Sequence, residues 1–110
     1  ERYRGNIERV VAYLKEHHAQ DLRRDELVSR SGLSPAYFTR LFKAVTGRPY
    51  IENLTALRLY RALDLMRDPA LRLTELALMC GFNDFNHFSR TFKKAMGVSP
   101  SQYRKRSHSP

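Results

Sequence analysis

Apolar residues recur at helical spacing along most of the chain, and no strand is predicted. Ile7, Val10, Val11 and Leu14 fall at i, i+3, i+4 and i+7, one face of an amphipathic helix that the polar stretch from His17 to Asp21 ends. A second helix is predicted from near Asp25, with Leu27, Val28 and Ser31 inward and Gly32 as its stop. Ser34-Pro35 combines a side-chain cap with proline in the first turn and opens a third helix that buries Phe38, Leu41, Phe42 and Val45 and closes at Gly47. Pro49 opens a fourth, running to about Met66, in which Ile51, Leu54, Ala62 and Leu65 line one side. Leu57, Leu59 and Leu63 widen that stripe, as a helix packed on two sides requires. Asp68-Pro69 ends it. Thr74 is the expected cap of a short fifth helix with Leu76, Ala77 and Cys80 inward and Gly81 as its stop. The sixth runs from Phe85 to Met96, burying Phe88, Phe92 and Ala95, and ends at Gly97. Ser99-Pro100 repeats the cap-and-proline start for a last turn or two through Tyr103, and residues 104–110 are expected to fray. The fold class is all-α with seven helices.

The second and third helices recur as the fifth and sixth. Glu26-Leu27 and Gly32 return 49 residues later as Glu75-Leu76 and Gly81, while Phe38, Arg40, Phe42, Lys43 and Gly47 return 50 residues later as Phe88, Arg90, Phe92, Lys93 and Gly97. The offset changes in the turn between paired helices, where an insertion is best tolerated. Two copies of short helix, glycine-bearing turn and longer helix read as two helix-turn-helix units, one at about 7–47 and one at about 74–104, joined by a helix at about 49–67 and followed by a basic tail, 105–110. A connecting helix of about 18 residues spans roughly 27 Å. With the width of the units added, the paired second helices reach about the 34 Å of one DNA turn, so one chain could enter two successive major grooves.

Charge sharpens that picture. The 110 residues carry a net +9. Residues 35–48 hold three basic groups and no acid, and residues 85–106 hold six and no acid, whereas 1–34 and 49–84 are close to neutral. The excess therefore lies on the third and sixth helices and the segment that follows each, as a polyanionic partner requires. On a helical wheel the face opposite Phe38, Leu41 and Phe42 presents Ala36, Thr39, Arg40 and Lys43. The same wheel on the sixth helix presents Asn86, Ser89, Arg90 and Lys93, with His87 and Lys94 flanking. Arg40 and Arg90 suit guanine O6 and N7, Asn86 suits adenine, and Ala36 and the Thr39 methyl suit a thymine methyl. Ser34, Lys43, Ser89, Lys93, Lys94 and Arg104 are the expected phosphate contacts. Two positions stay open. Phe85 falls beside Phe92 and Met96, which says core, yet sits in the first turn, where a side chain can protrude toward a base. His87 can donate to a base or phosphate, or pack at the helix edge.

Cys80-Gly81-Phe82-Asn83-Asp84-Phe85-Asn86-His87-Phe88-Ser89-Arg90-Thr91-Phe92-Lys93-Lys94, followed by Gly97-Val98-Ser99-Pro100 and Tyr103-Arg104, resembles the AraC/XylS transcriptional regulators. Gly32-Leu33-Ser34-Pro35, Phe38, Arg40-Leu41-Phe42-Lys43 and Gly47 in the first unit, and Arg58-Leu59 and Arg61-Ala62 between, extend the resemblance over about residues 7 to 104. It implies a bacterial, cytoplasmic domain on the nucleoid that binds double-stranded DNA, usually at the C-terminus of a regulator. It also implies activation through contacts with RNA polymerase, and an N-terminal effector or dimerisation domain outside these residues. By position it implies base contacts from Ala36, Thr39 and Arg40, then Phe85, Asn86, His87 and Arg90. Val28 departs from the family's small alanine, kept as Ala77 in the second unit, so the first pair of helices is expected to be slightly spread. Phe85 stands where a polar residue is more usual.

Other functions find less support. No run of 18 apolar residues spans a membrane, and the apolar faces of the third and sixth helices are used in the core, leaving none for lipid. No secretory pattern opens the chain, and a start at Glu1 predicts a piece of a longer polypeptide. A single cysteine, Cys80, excludes an internal disulfide and reads as an inert core residue. His17, His18, His87 and His108 form no ligand constellation, and no glycine-rich phosphate loop is present, so no metal, cofactor or catalytic site is expected. RNA binding lacks an exposed stacking platform. A basic helical module that binds a protein partner, and the DNA-binding part of a larger DNA-alkylation-response protein, are the alternatives.

Overall fold

A computed structural model of the chain describes residues 2–107; the expected fray of 108–110 and His108 fall outside them. Those residues form seven α-helices: α1 (Arg4–His17), α2 (Arg24–Ser31), α3 (Pro35–Thr46), α4 (Tyr50–Leu65), α5 (Leu73–Met79), α6 (Phe85–Met96) and α7 (Pro100–Ser107). They are arranged as tandem helix-turn-helix units joined by the central helix. The chain divides after Leu57, inside α4, so each unit takes half of that helix.

Unit 1 closes on Ile7, Val10 and Leu14 from α1, Leu27 and Val28 from α2, Phe38, Leu41 and Phe42 from α3, and Leu54 from α4. Unit 2 closes on Leu59, Ala62 and Met66 from the second half of α4 and its end, with Leu76, Ala77, Cys80, Phe82, Phe88 and Phe92. The broad apolar stripe of α4 thus serves two cores in succession. Aromatic rings make the centre of each. Phe38 and Phe42 lie 5.6 Å apart with Tyr50 against both. Phe88 and Phe92 lie 5.7 Å apart, flanked by Phe82 at 5.2 Å from Phe88 and by Tyr103 at 5.6 Å from Phe92.

The turns are built from local chemistry. Gly32 takes a φ of 71° and Gly81 a φ of 97°, a region costly for other L-residues. Ser31 is fully buried in the first turn; its hydroxyl donates to Val28 O and accepts from Leu33 N–H. Asn6 of α1 donates to Ser31 O at 2.8 Å, tying that turn to the rest of the unit. Ser34 Oγ caps α3 by accepting from Tyr37 N–H at 3.3 Å. Ser99 and Gln102 form a reciprocal capping box at the start of α7, Oγ accepting from Gln102 N–H and Oε1 from Ser99 N–H.

Several expectations are corrected. Thr74 does not cap α5, which begins one residue earlier at Leu73 and carries Arg72 at its N-cap position without a side-chain bond. Ile51 is 52% exposed, while its neighbour Tyr50 and Leu54 one turn on take the places against the unit 1 core. Ala95 is exposed and Val45 half-buried, each lying at the rim of its helix's apolar face. Val28 keeps 8% of its surface exposed where Ala77 keeps none. α7 continues to Ser107 instead of fraying after Tyr103.

Arg104, in the second turn of α7, ties that helix to the rest of unit 2. Its Nη1 donates to Leu71 O at 2.6 Å and its Nη2 to Asp68 O at 3.2 Å, while Nε is buried without a partner. The guanidinium is thus committed to the carbonyls of the α4–α5 connection and is not presented as a phosphate contact. Replacement by Met is expected to cost about 2 kcal/mol in denaturant unfolding, the scale of hydrogen bonds to a charged group. Phe38→Ala and Phe88→Ala, each emptying the centre of one core, are expected to cost about 3–5 kcal/mol apiece in the same assay.

Candidate nucleic-acid interface

Burial of Phe38, Leu41 and Phe42 turns the opposite side of α3 to solvent, and Ala36, Thr39, Arg40 and Lys43 are all exposed there. In unit 2, burial of Phe88 and Phe92 does the same for α6, leaving Asn86, His87, Arg90, Lys93 and Lys94 exposed and Ser89 half-buried. Arg40, Lys43, Arg90, Lys93 and Lys94 form no ion pair among the described residues. Ion pairs instead occur away from these faces, as in Arg4–Glu8, Arg30–Glu26, Arg61–Asp64 and Arg72–Glu75. Arg40 approaches only the Tyr37 ring, at 5.9 Å from its centroid.

Both open positions now have a place. Phe85 is half-buried with its ring 6.0 Å from that of Phe88, which favours the core alternative over a ring standing free toward a base. His87 is exposed while its ring meets Phe82 edge-on at 5.4 Å, so packing at the helix edge orients an imidazole that solvent still reaches.

The two helix starts differ electrically. Ser34 is a neutral cap, whereas Asp84 Oδ1 accepts from His87 N–H at 2.7 Å and places a carboxylate on the N-terminus of α6. A phosphate approaching that end meets a site already occupied by negative charge. Asp84 escaped the sequence reading, although an aspartate directly before a helical apolar pattern is itself a cap signal. The turn also runs one residue longer from Gly81 to α6 than from Gly32 to α3, which accounts for the change of repeat offset.

Arg24, at the start of α2, was likewise missed. Its Nη2 donates to Thr39 Oγ1 at 2.6 Å and lies 3.4 Å from Pro35 O, while Thr39 Oγ1 donates to Pro35 O at 3.0 Å. No spacing rule pairs residues 15 apart on different helices, so only the folded turn brings them together.

Burial pushes the Cys80 thiol up to about 11, so it stays protonated at neutral pH and is a poor nucleophile. No group of three or more His, Cys, Asp and Glu among the described residues could hold a metal ion. No helix among the described residues is long and apolar enough to cross a membrane.

A helix-turn-helix domain family matches residues 27–106. The chain is 35% identical over 103 residues to the uncharacterized HTH-type transcriptional regulator YijO of Escherichia coli K12, an alignment covering 94% of this chain and 36% of that protein. It thus spans about a third of the length of such curated relatives. Among solved structures, the C-terminal domain of AraT, a response regulator from Geobacillus stearothermophilus, superposes with a TM-score of 0.85 at 36% identity, covering 91% of this chain and 84% of that one. The DNA-binding domain of AdpA, crystallised with a target DNA, superposes with a TM-score of 0.86 at 28% identity, covering 94% and 96%. With the family's motifs repeated in both units and its fold reproduced, the chain belongs to the AraC/XylS family of transcriptional regulators as a non-catalytic, DNA-binding domain of two helix-turn-helix units.

Proposed function

We propose that this domain reads double-stranded DNA by placing α3 and α6 in adjacent major grooves, each unit reading a different half of an asymmetric site. The observation that carries this reading is the placement of charge: Arg40, Lys43, Arg90, Lys93 and Lys94 stand exposed on α3 and α6 with no ion pair among the described residues, while Arg4, Arg30, Arg61, Arg67 and Arg72 are matched to carboxylates. An unpaired, exposed cation opposite a buried aromatic face is held out for an external acceptor. Arg40 and Arg90 are assigned to guanine, Asn86 to adenine, and Ala36 with the Thr39 methyl to thymine. Lys43, Lys93 and Lys94, further along their helices, and Ser34 and Ser89 are assigned to phosphates. His87 is poised for either. Phe85 packs its ring on the unit 2 core and is assigned no base.

The regulator that carries this domain activates transcription through RNA polymerase, acts on the nucleoid in the bacterial cytoplasm, and receives its signal through an effector or dimerisation domain beyond this chain. Those roles rest on the family to which the chain belongs. Transcription from a promoter bearing the selected site, with purified polymerase, tests them: addition of the full-length regulator should raise transcript yield, and a fall would make it a repressor.

Selection of random duplexes by the purified domain tests the groove assignment. The expected winner has two unlike blocks about 10 base pairs apart, bound about 10³-fold more tightly than random DNA and weakening steeply with salt. A single enriched block would mean that one unit reads while the other holds the backbone. Absence of enrichment would leave a basic helical module with a different partner. On the selected site, Arg90→Ala is expected to cost about 1–3 kcal/mol and relax preference at one base pair, whereas Lys93→Ala should weaken all duplexes alike and reduce the log–log salt slope by about one.

A further inference from the structure

The internal repeat isolates one residue that the rest of the pattern does not account for. At the offset that relates Glu26-Leu27 to Glu75-Leu76, Arg24 corresponds to Leu73. Leu73 is half-buried and packs on the unit 2 core. Arg24 is exposed, and its guanidinium reaches across to the reading face of α3, where Nη2 bonds Thr39 Oγ1 and Pro35 O. No carboxylate among the described residues pairs with it; Glu26 is engaged by Arg30 and Tyr13. Its Nη1 and Nε have no partner among the described residues. Unit 1 therefore presents a cation at the base-facing edge of its recognition helix that unit 2 lacks.

The contact also fixes what Thr39 offers. Its hydroxyl donates to Pro35 O and accepts from Arg24, so it is turned back on the protein and the methyl is the group left for a base. A methyl and a fixed guanidinium side by side match the edges of neighbouring thymine and guanine.

We propose that Arg24 is a specificity-determining residue of unit 1, supplied by α2 rather than by the recognition helix, and that its free Nη1 donates to a guanine acceptor, O6 or N7, beside the base that the Thr39 methyl meets. This rests on the DNA-binding reading above. The test is random-duplex selection by the whole chain alongside Arg24→Leu, which restores the repeat's counterpart, and Arg24→Gln, whose amide suits adenine. Both variants should keep the wild-type unit 2 block. Arg24→Leu should lose about tenfold of the preference for guanine at one base pair of the unit 1 block. Arg24→Gln should move that same base pair away from guanine, and far-UV circular dichroism should match wild type. Weakening that is uniform over all duplexes would make Arg24 a phosphate contact and overturn the proposal. An unchanged site and affinity would overturn it too, leaving only a clamp on Thr39. Should Arg24→Leu fail to fold, the base preference of Arg24→Gln decides. A wild type that selects no site would sink the DNA-binding reading itself, and this inference with it.

Discussion

A helix of twelve residues can be rolled about its own axis into many orientations, and what reads outward depends on which one is chosen. In both units the choice is made by a pair of phenylalanines one turn apart, Phe38 with Phe42 and Phe88 with Phe92, all buried to 1% exposure or less. Rings of that size have no second place to go. Once they are seated against Tyr50 in unit 1, and against Phe82 and Tyr103 in unit 2, the roll of α3 and α6 is fixed. The polar side then faces outward by geometry. Caps, glycine turns and the buried Ser31 refine the position of each helix, but they act on an orientation that aromatic burial has already set.

The two units illustrate how a shared core tolerates divergent exteriors. At the centre of each core the repeat is kept, with Leu27 against Leu76 and the phenylalanines identical. The exposed face is kept in part: Arg40 and Lys43 return as Arg90 and Lys93, but Ala36 gives way to Asn86, and the cap changes from Ser34 to Asp84. One extra residue in the second turn is absorbed without loss of the glycine, because the turn's length is free where its left-handed residue is not. Divergence at exposed positions leaves the packing alone, so each unit is free to acquire its own preference.

Most of the architecture was legible in the chain because it depends on short-range rules. The i, i+3, i+4 spacing of apolar residues located the helices, and serine-proline and glycine marked starts and stops; α6 falls from Phe85 to Met96 as the pattern predicts. The misses share a cause. Ile51 and Ala95 obey the local period yet are exposed, because the period marks a stripe and not which of its edge positions a neighbour covers. Arg104 and Arg24 are long, flexible side chains whose destinations, the carbonyls at 68 and 71 and the Thr39 hydroxyl, are far away in sequence. A wheel assigns such a residue to a face but cannot say what its terminal group grasps. For the same reason the wheel identified the exposed cations yet could not show which were already engaged.

The division of the chain inside α4 bears on how so small a protein acquires two cores. Each unit owns about half of a 16-residue helix, and a stub of that length is too short to persist in water by itself, because starting a helix costs several ordered residues for its first hydrogen bond. By running one helix through both cores, the chain meets that nucleation cost once and uses the result twice. Leu54 on the first half and Leu59 and Ala62 on the second then hold that one helix to a core each.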